Sequence, residues 1–153
     1  MEIQTTRFGV LQFPRDLVIR VPGGLPGFPH AEGFAVLEHD TDGSPFKWLQ
    51  AVDEPALAFI IIDPHLLVPD YLAQIERDVH DAFGPFDPQD VSTISLVTVP
   101  RDNPTAMTAN LRAPLVVIFS ERVGRQIILT DDRFPMNHRI FPPSARSERA
   151  VAG

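Results

Sequence analysis

Residues 98–119 read TVPRDNPTAMTANLRAPLVVIF, and the way this stretch is interrupted decides the fold. It begins extended, breaks at Pro100 and Pro104, and restarts as the polar segment 108–114. It then runs out through Leu115, Val116, Val117, Ile118 and Phe119. A short continuous apolar run bounded by turn signals reads as a strand buried on both faces. Pro114 has no N–H to give to a ladder, so it is expected at a bulge, an edge or a strand start. A proline-kinked polar approach to a buried strand reads as a bend at the corner of a barrel. Asn110 lies in that bend, where its side chain is placed to satisfy backbone groups at the point where Pro114 interrupts the ladder.

Working outward, most of the chain carries strand signals. Residues 3–8 and 10–13 are extended around Gly9, and 17–21 form a strand stopped by Pro22-Gly23-Gly24. Residues 24–29 make a Pro/Gly loop with two large apolar side chains, Leu25 and Phe28. Further strands are expected at 34–38, 46–52, 57–62 and 91–99. The residues 121–125 read as a hairpin turn, and 126–130 as the last strong strand. The single helical signal is at 71–83, where Leu72, Ile75, Val79 and Phe83 recur at spacings of three and four. Asp70 is its expected N-cap and Gly84-Pro85 its stop, although residues 71–75 also read as extended. The expected fold is mostly β: a single-domain antiparallel β-barrel-like fold with one short helix. It occupies residues 1–141, followed by a flexible tail at 142–153.

Composition supports this and narrows the function. Sixteen prolines in 153 residues are about twice the usual share of roughly 5%, and they punctuate the whole chain, which a helical fold would not tolerate. There is no cysteine, hence no disulfide and no thiolate metal site. No run approaches the roughly 18 apolar residues of a membrane span, and the N-terminus lacks the pattern of a signal peptide. The expected location is therefore the cytoplasm. The net charge is −7, and Lys47 is the only lysine. Phosphate backbones are held chiefly by Lys and Arg, so direct nucleic-acid binding is disfavoured.

A search for chemistry returns little. None of the five histidines pairs with another at metal spacing. His39 with Asp40 and Asp42 would make only a weak metal site. The calcium-loop start at Asp40 has Ala51 where a bidentate Glu is required. No nucleophile elbow, phosphate loop or dinucleotide loop is present. Asp63 and Asp70 are the one conceivable carboxylate pair, and turn-setting and helix-capping explain them as well. No cofactor, metal or catalytic residue is expected. What remains is surface for a protein partner, with Phe28, Trp48, Tyr71, Phe83, Phe86 and Phe134 placed near turns.

Several segments, in order, resemble a known family. Residues 107–117, MTANLRAPLVV, are similar to the M-T-A-N-L-x-A-P signature of the flagellar assembly factor FliW family. Gly24-Leu25-Pro26-Gly27-Phe28 resembles its G-[IL]-P-G-F loop. Ser44-Pro45-Phe46 with Leu49-Gln50 resembles its S-P-F-x-x-L-Q strand. Leu57-Ala58-Phe59, Asp63-Pro64 and Pro69-Asp70-Tyr71 follow its L-A-F…P…P-D-Y pattern, and residues 122–129 its R-x-G-x-Q-[VI]-I-L. Two places depart from the pattern. The closing pair is reversed, as His138-Arg139, and residues 73–88 match nothing, which reads as lineage-specific surface.

The resemblance implies a non-enzymatic regulator with a compact, mostly β, barrel-like domain. Such proteins bind the translational repressor CsrA, an RNA-binding dimer, and relieve its repression of flagellin mRNA. They also bind flagellin itself. This chain is accordingly expected to be a monomer with CsrA and flagellin as partners, and with no membrane or direct nucleic-acid contact. Leu25, Phe28, Asp63, Pro64, Asp70, Tyr71, Asn110 and Arg112 are the candidate partner-binding residues, each with a structural role as the competing explanation. The alternatives are a β-barrel nucleic-acid or oligosaccharide-binding module, and a hydrolase using Asp63 or Asp70.

Overall fold

A computed structural model describes residues 1–38 and 43–141. The His39, Asp40 and Asp42 cluster and the 142–153 tail lie outside the described residues. The strands are β1 (Glu2–Thr5), β2 (Gly9–Gln12), β3 (Ile19–Arg20), β4 (Gly33–Glu38), β5 (Phe46–Ala51) and β6 (Ala58–Ile62). Helix α1 (Tyr71–Phe83) follows, and then β7 (Val91–Thr98), β8 (Thr108–Ala109), β9 (Leu115–Ile118), β10 (Val123–Gln126) and β11 (His138–Arg139).

Seven strands close into a ring, in the order β7-β6-β5-β4-β3-β10-β9, and β9 returns to pair with β7. The eight-residue β7 serves three neighbours along its length, and two of them close the ring. Its first half pairs with β9 (Val91↔Ile118, Ile94↔Leu115), and its second half with β6 (Ile61↔Leu96). The expectation of an antiparallel barrel needs one correction. The β10–β3 seam is parallel, made by Val123↔Arg20 and by the Arg20 N–H donating to the Arg122 carbonyl at 2.8 Å. Short β8 and β11 extend the sheet beyond the ring. The β1–β2 hairpin stands apart and packs on the outer face of β5. There Phe8 meets Trp48 edge-on at 5.6 Å, and the Arg7 guanidinium lies 4.5 Å above the Trp48 ring.

Strand β9 separates two cores. Leu115 and Val117 point into the ring with Ile19, Phe34, Leu49 and Ile61. Val116 and Ile118 point outward, under Tyr71, Ile75 and Val79 of α1. The β9 run is buried on both faces because successive side chains alternate and each face has its own cover. Pro114 immediately precedes the strand, and its carbonyl accepts from the Ile127 N–H at 3.1 Å.

Helix α1 has the expected bounds and is helical from its first residue, so residues 71–75 are not extended. Four local expectations shift. Residues 17–21 are not one strand: Pro14 starts a 3-10 turn over Arg15–Leu17, leaving two strand residues. The β9–β10 hairpin turn spans 119–122 rather than 121–125, since Ile118 pairs with Val123. The last strand ends at Gln126 rather than running over 126–130. Leu129 N–H still reaches the Arg112 carbonyl at 2.8 Å, but its partner there is the bent segment and not a regular strand. Finally, residues 73–88 are not merely surface, because Ile75 and Val79 are fully buried core.

Candidate functional site

The candidate residues fall into two places. The first is the Pro/Gly loop. Pro26-Gly27 occupies the middle of a tight turn in which the Phe28 N–H donates to the Leu25 carbonyl at 2.7 Å, with Gly27 at φ 86°. Pro then Gly at those positions is the type II arrangement. Gly24, at φ 69°, is required by space as well, since a Cβ there would stand 2.2 Å from the Phe28 carbonyl oxygen. The turn drives Leu25 into the ring core, 3% exposed, and leaves Phe28 at 39%, its ring edge-on to Phe59 at 5.3 Å.

The second place joins the start of α1 to the 110–114 bend. Asp63 caps a 3-10 turn over Pro64–Leu66 by accepting from the His65 N–H at 2.9 Å. The same carboxylate oxygen lies 2.9 Å from His65 Nδ1, and His65 Nε2 accepts from the Leu72 N–H at 3.2 Å. Nε2 being an acceptor requires the proton to be on Nδ1, which donates to Asp63. Asp70 stands at the helix N-cap without capping a backbone N–H; its carboxylate instead accepts from Gln74 Nε2 at 2.6 Å. Tyr71 is fully buried. Its hydroxyl donates to the Leu111 carbonyl at 2.5 Å, and its ring meets His65 and Phe134 edge-on. Burial, and secondarily the Asp78 carboxylate, hold the Tyr71 phenol well above the ordinary tyrosine range. Asn110 Oδ1 accepts from both the Arg112 N–H (3.1 Å) and the Ala113 N–H (3.0 Å), the backbone donors just ahead of Pro114. Near Arg112, hydrogen bonds from the Arg133 backbone and side chain hold the exposed Asp131 carboxyl below the usual carboxylate range.

The candidates differ in exposure. Leu25, Pro64 and Tyr71 are buried, and their side chains pack into the scaffold. Phe28, Asp63 and Asp70 remain at the surface, and Asn110 and Arg112 are half-buried. Asp63 and Asp70 hydrogen-bond to different partners. Among the described residues, no three His, Cys, Asp or Glu side chains group as metal ligands. No helix there is long and apolar enough to cross a membrane. Sequence reasoning missed His65 as the link between Asp63 and α1. The signal available was an Asp-Pro-His turn seven residues ahead of Leu72. Phe134 was noticed only as an aromatic near a turn; its contact with Tyr71 bridges 63 positions of sequence.

The comparisons with known proteins agree on one family. The model described as FliW protein matches residues 2–140. Flagellar assembly factor FliW of Heliobacterium modesticaldum is 40% identical over 149 residues, covering 97% of this chain and 95% of that protein. The protein of the same name from Syntrophus aciditrophicus is 37% identical over 141 residues, with coverages of 92% and 88%. A crystal structure of the flagellar assembly factor FliW superposes with a TM-score of 0.78 at 32% identity, covering 94% of this chain and 99% of the other.

Proposed function

This chain belongs to the FliW family of flagellar assembly factors, and on that premise we propose that it acts by binding rather than by catalysis. It binds the repressor CsrA, frees flagellin mRNA from it, and binds flagellin in competition. Flagellin synthesis is thereby coupled to flagellin consumption, in the cytoplasm and by a monomer. The observation that carries this reading is the near-full-length family match. Charge supports it: an acidic protein at −7 suits a basic, RNA-binding partner, because complementary potentials speed encounter. The same charge disfavours an RNA-binding role for the chain itself. Phe28, Asp63 and Asp70 are the contact residues we assign, with Asn110 and Arg112 in the framework of the 110–114 bend.

A pull-down from native lysate, probed separately for CsrA and flagellin, tests the reading. Recovery of both is expected, and recovery of neither ends it. A gel shift of flagellin leader RNA by this protein without CsrA would contradict the mechanism even if both partners bind.

A further inference from the structure

We propose that the open end of the barrel binds a small aliphatic carboxylate, a straight-chain acid of about the length of octanoate. The two ends of the ring are filled differently. Phe34, Leu49 and Leu115 pack one end solid. At the other, the inward side chains are Ile19, Val36, Ile61, Ile94 and Val117, and they leave a cavity of about 310 Å³. An apolar cavity of roughly 150 Å³ already holds benzene, and ligand pockets begin at about 300 Å³ and favour the mouths of β-barrels.

The rim supplies the charge preference. Lys47, on the same face of β5 as Leu49 and Ala51, and Arg122, in the β9–β10 turn, both line the cavity. Lys47 is paired with Glu38 at 3.4 Å, but both side chains are well exposed, and such pairs are weak enough to be exchanged. Arg122 has no ion-pair partner among the described residues, and its guanidinium lies 5.4 Å from the Phe119 ring centre. Asp63 also lines the rim, with one carboxylate oxygen engaged by His65. Glu38 offsets Lys47 and Asp63 is held by His65, so Arg122 is the rim cation open to an anion, which suits one carboxylate and disfavours a dianion such as a phosphate monoester.

A second observation points to the same place. Arg122 is the one non-glycine residue with positive φ, 51°, among the described residues. Such a backbone favours glycine or asparagine, and strain of this kind collects at ligand sites. Here it holds an arginine at the mouth of an apolar cavity, the side chain best suited to grip a carboxylate.

The test is a titration of the full chain, labelled at Ile and Val methyl groups, with octanoate followed by NMR. Saturable shifts are expected at Ile19, Val36, Ile61, Ile94 and Val117, with a Kd of about 1 mM or tighter. Octanol should bind roughly tenfold more weakly, because it lacks the charge-assisted contacts. Arg122→Gly should fold at least as stably, since it relieves the strained backbone, yet lose roughly tenfold in octanoate affinity. Ile94→Phe, where its spectrum shows a folded chain, should abolish the shifts. Absence of saturation, shifts centred elsewhere, equal affinity for octanol, or an unchanged Arg122→Gly would each overturn the proposal.

Discussion

At the scale of single residues, the most consequential polar side chain is Asn110. Its one carboxamide oxygen serves two backbone donors at the bend. Asn110→Ala should therefore cost about 1–3 kcal/mol in urea denaturation, with partner binding by the folded fraction unchanged. Intact stability with lost CsrA binding would reverse the assignment from framework to contact. This role was legible in the sequence because Pro114 announces a broken ladder. Tyr71 was not legible in the same way, since its acceptor lies 40 positions away on Leu111. Tyr71→Phe leaves that buried carbonyl unpaired and should cost about 1–3 kcal/mol. It should also alter the alkaline limb. A phenol raised in the folded state contributes stability that is full below the ordinary tyrosine value of about 10 and lost as the pH rises through the folded one. The wild type should lose stability above about pH 10 more steeply than Tyr71→Phe, as denaturation series across alkaline pH would show.

At the scale of elements, α1 behaves as a lid on the outer face of β9. Its two end signals, Pro69-Asp70 and Gly84-Pro85, are local in the chain, which is why its bounds could be read directly. Its stability is not local. Ile75 and Val79 rest on Val116 and Ile118, and an isolated helix of 13 residues is marginal in water. Ile75→Ala should destabilise the whole domain by about 2–5 kcal/mol, with loss of helical signal and of the β core in one transition by circular dichroism and fluorescence. Separate melting of the helix would contradict its place in the core. The element that escaped sequence reading has the opposite property. β11 has two residues, too few for any period to show, and β3 keeps only two of the five residues expected as strand; both are held by partners distant in sequence. The parallel seam was illegible for that reason: alternation tells which face of a strand is buried, not which strand lies beside it.

At the scale of the whole molecule, charge and closure dominate. With −7 on a small domain, association with a basic partner should slow markedly as salt rises, by up to tenfold or more between about 0.05 and 0.5 M. Stopped-flow association with CsrA measures this, and a salt-independent rate would remove electrostatic steering from the account. Closure has a consequence for biosynthesis. The seam that seals the barrel joins Arg20 to Val123, so the first strand to emerge in the ring waits about a hundred residues for its neighbour. Contacts of such sequence separation form late. Throughout synthesis the nascent sheet carries an unpaired edge on β3, the kind of edge that recruits other chains. Chains released before Val123 should therefore accumulate in the insoluble fraction.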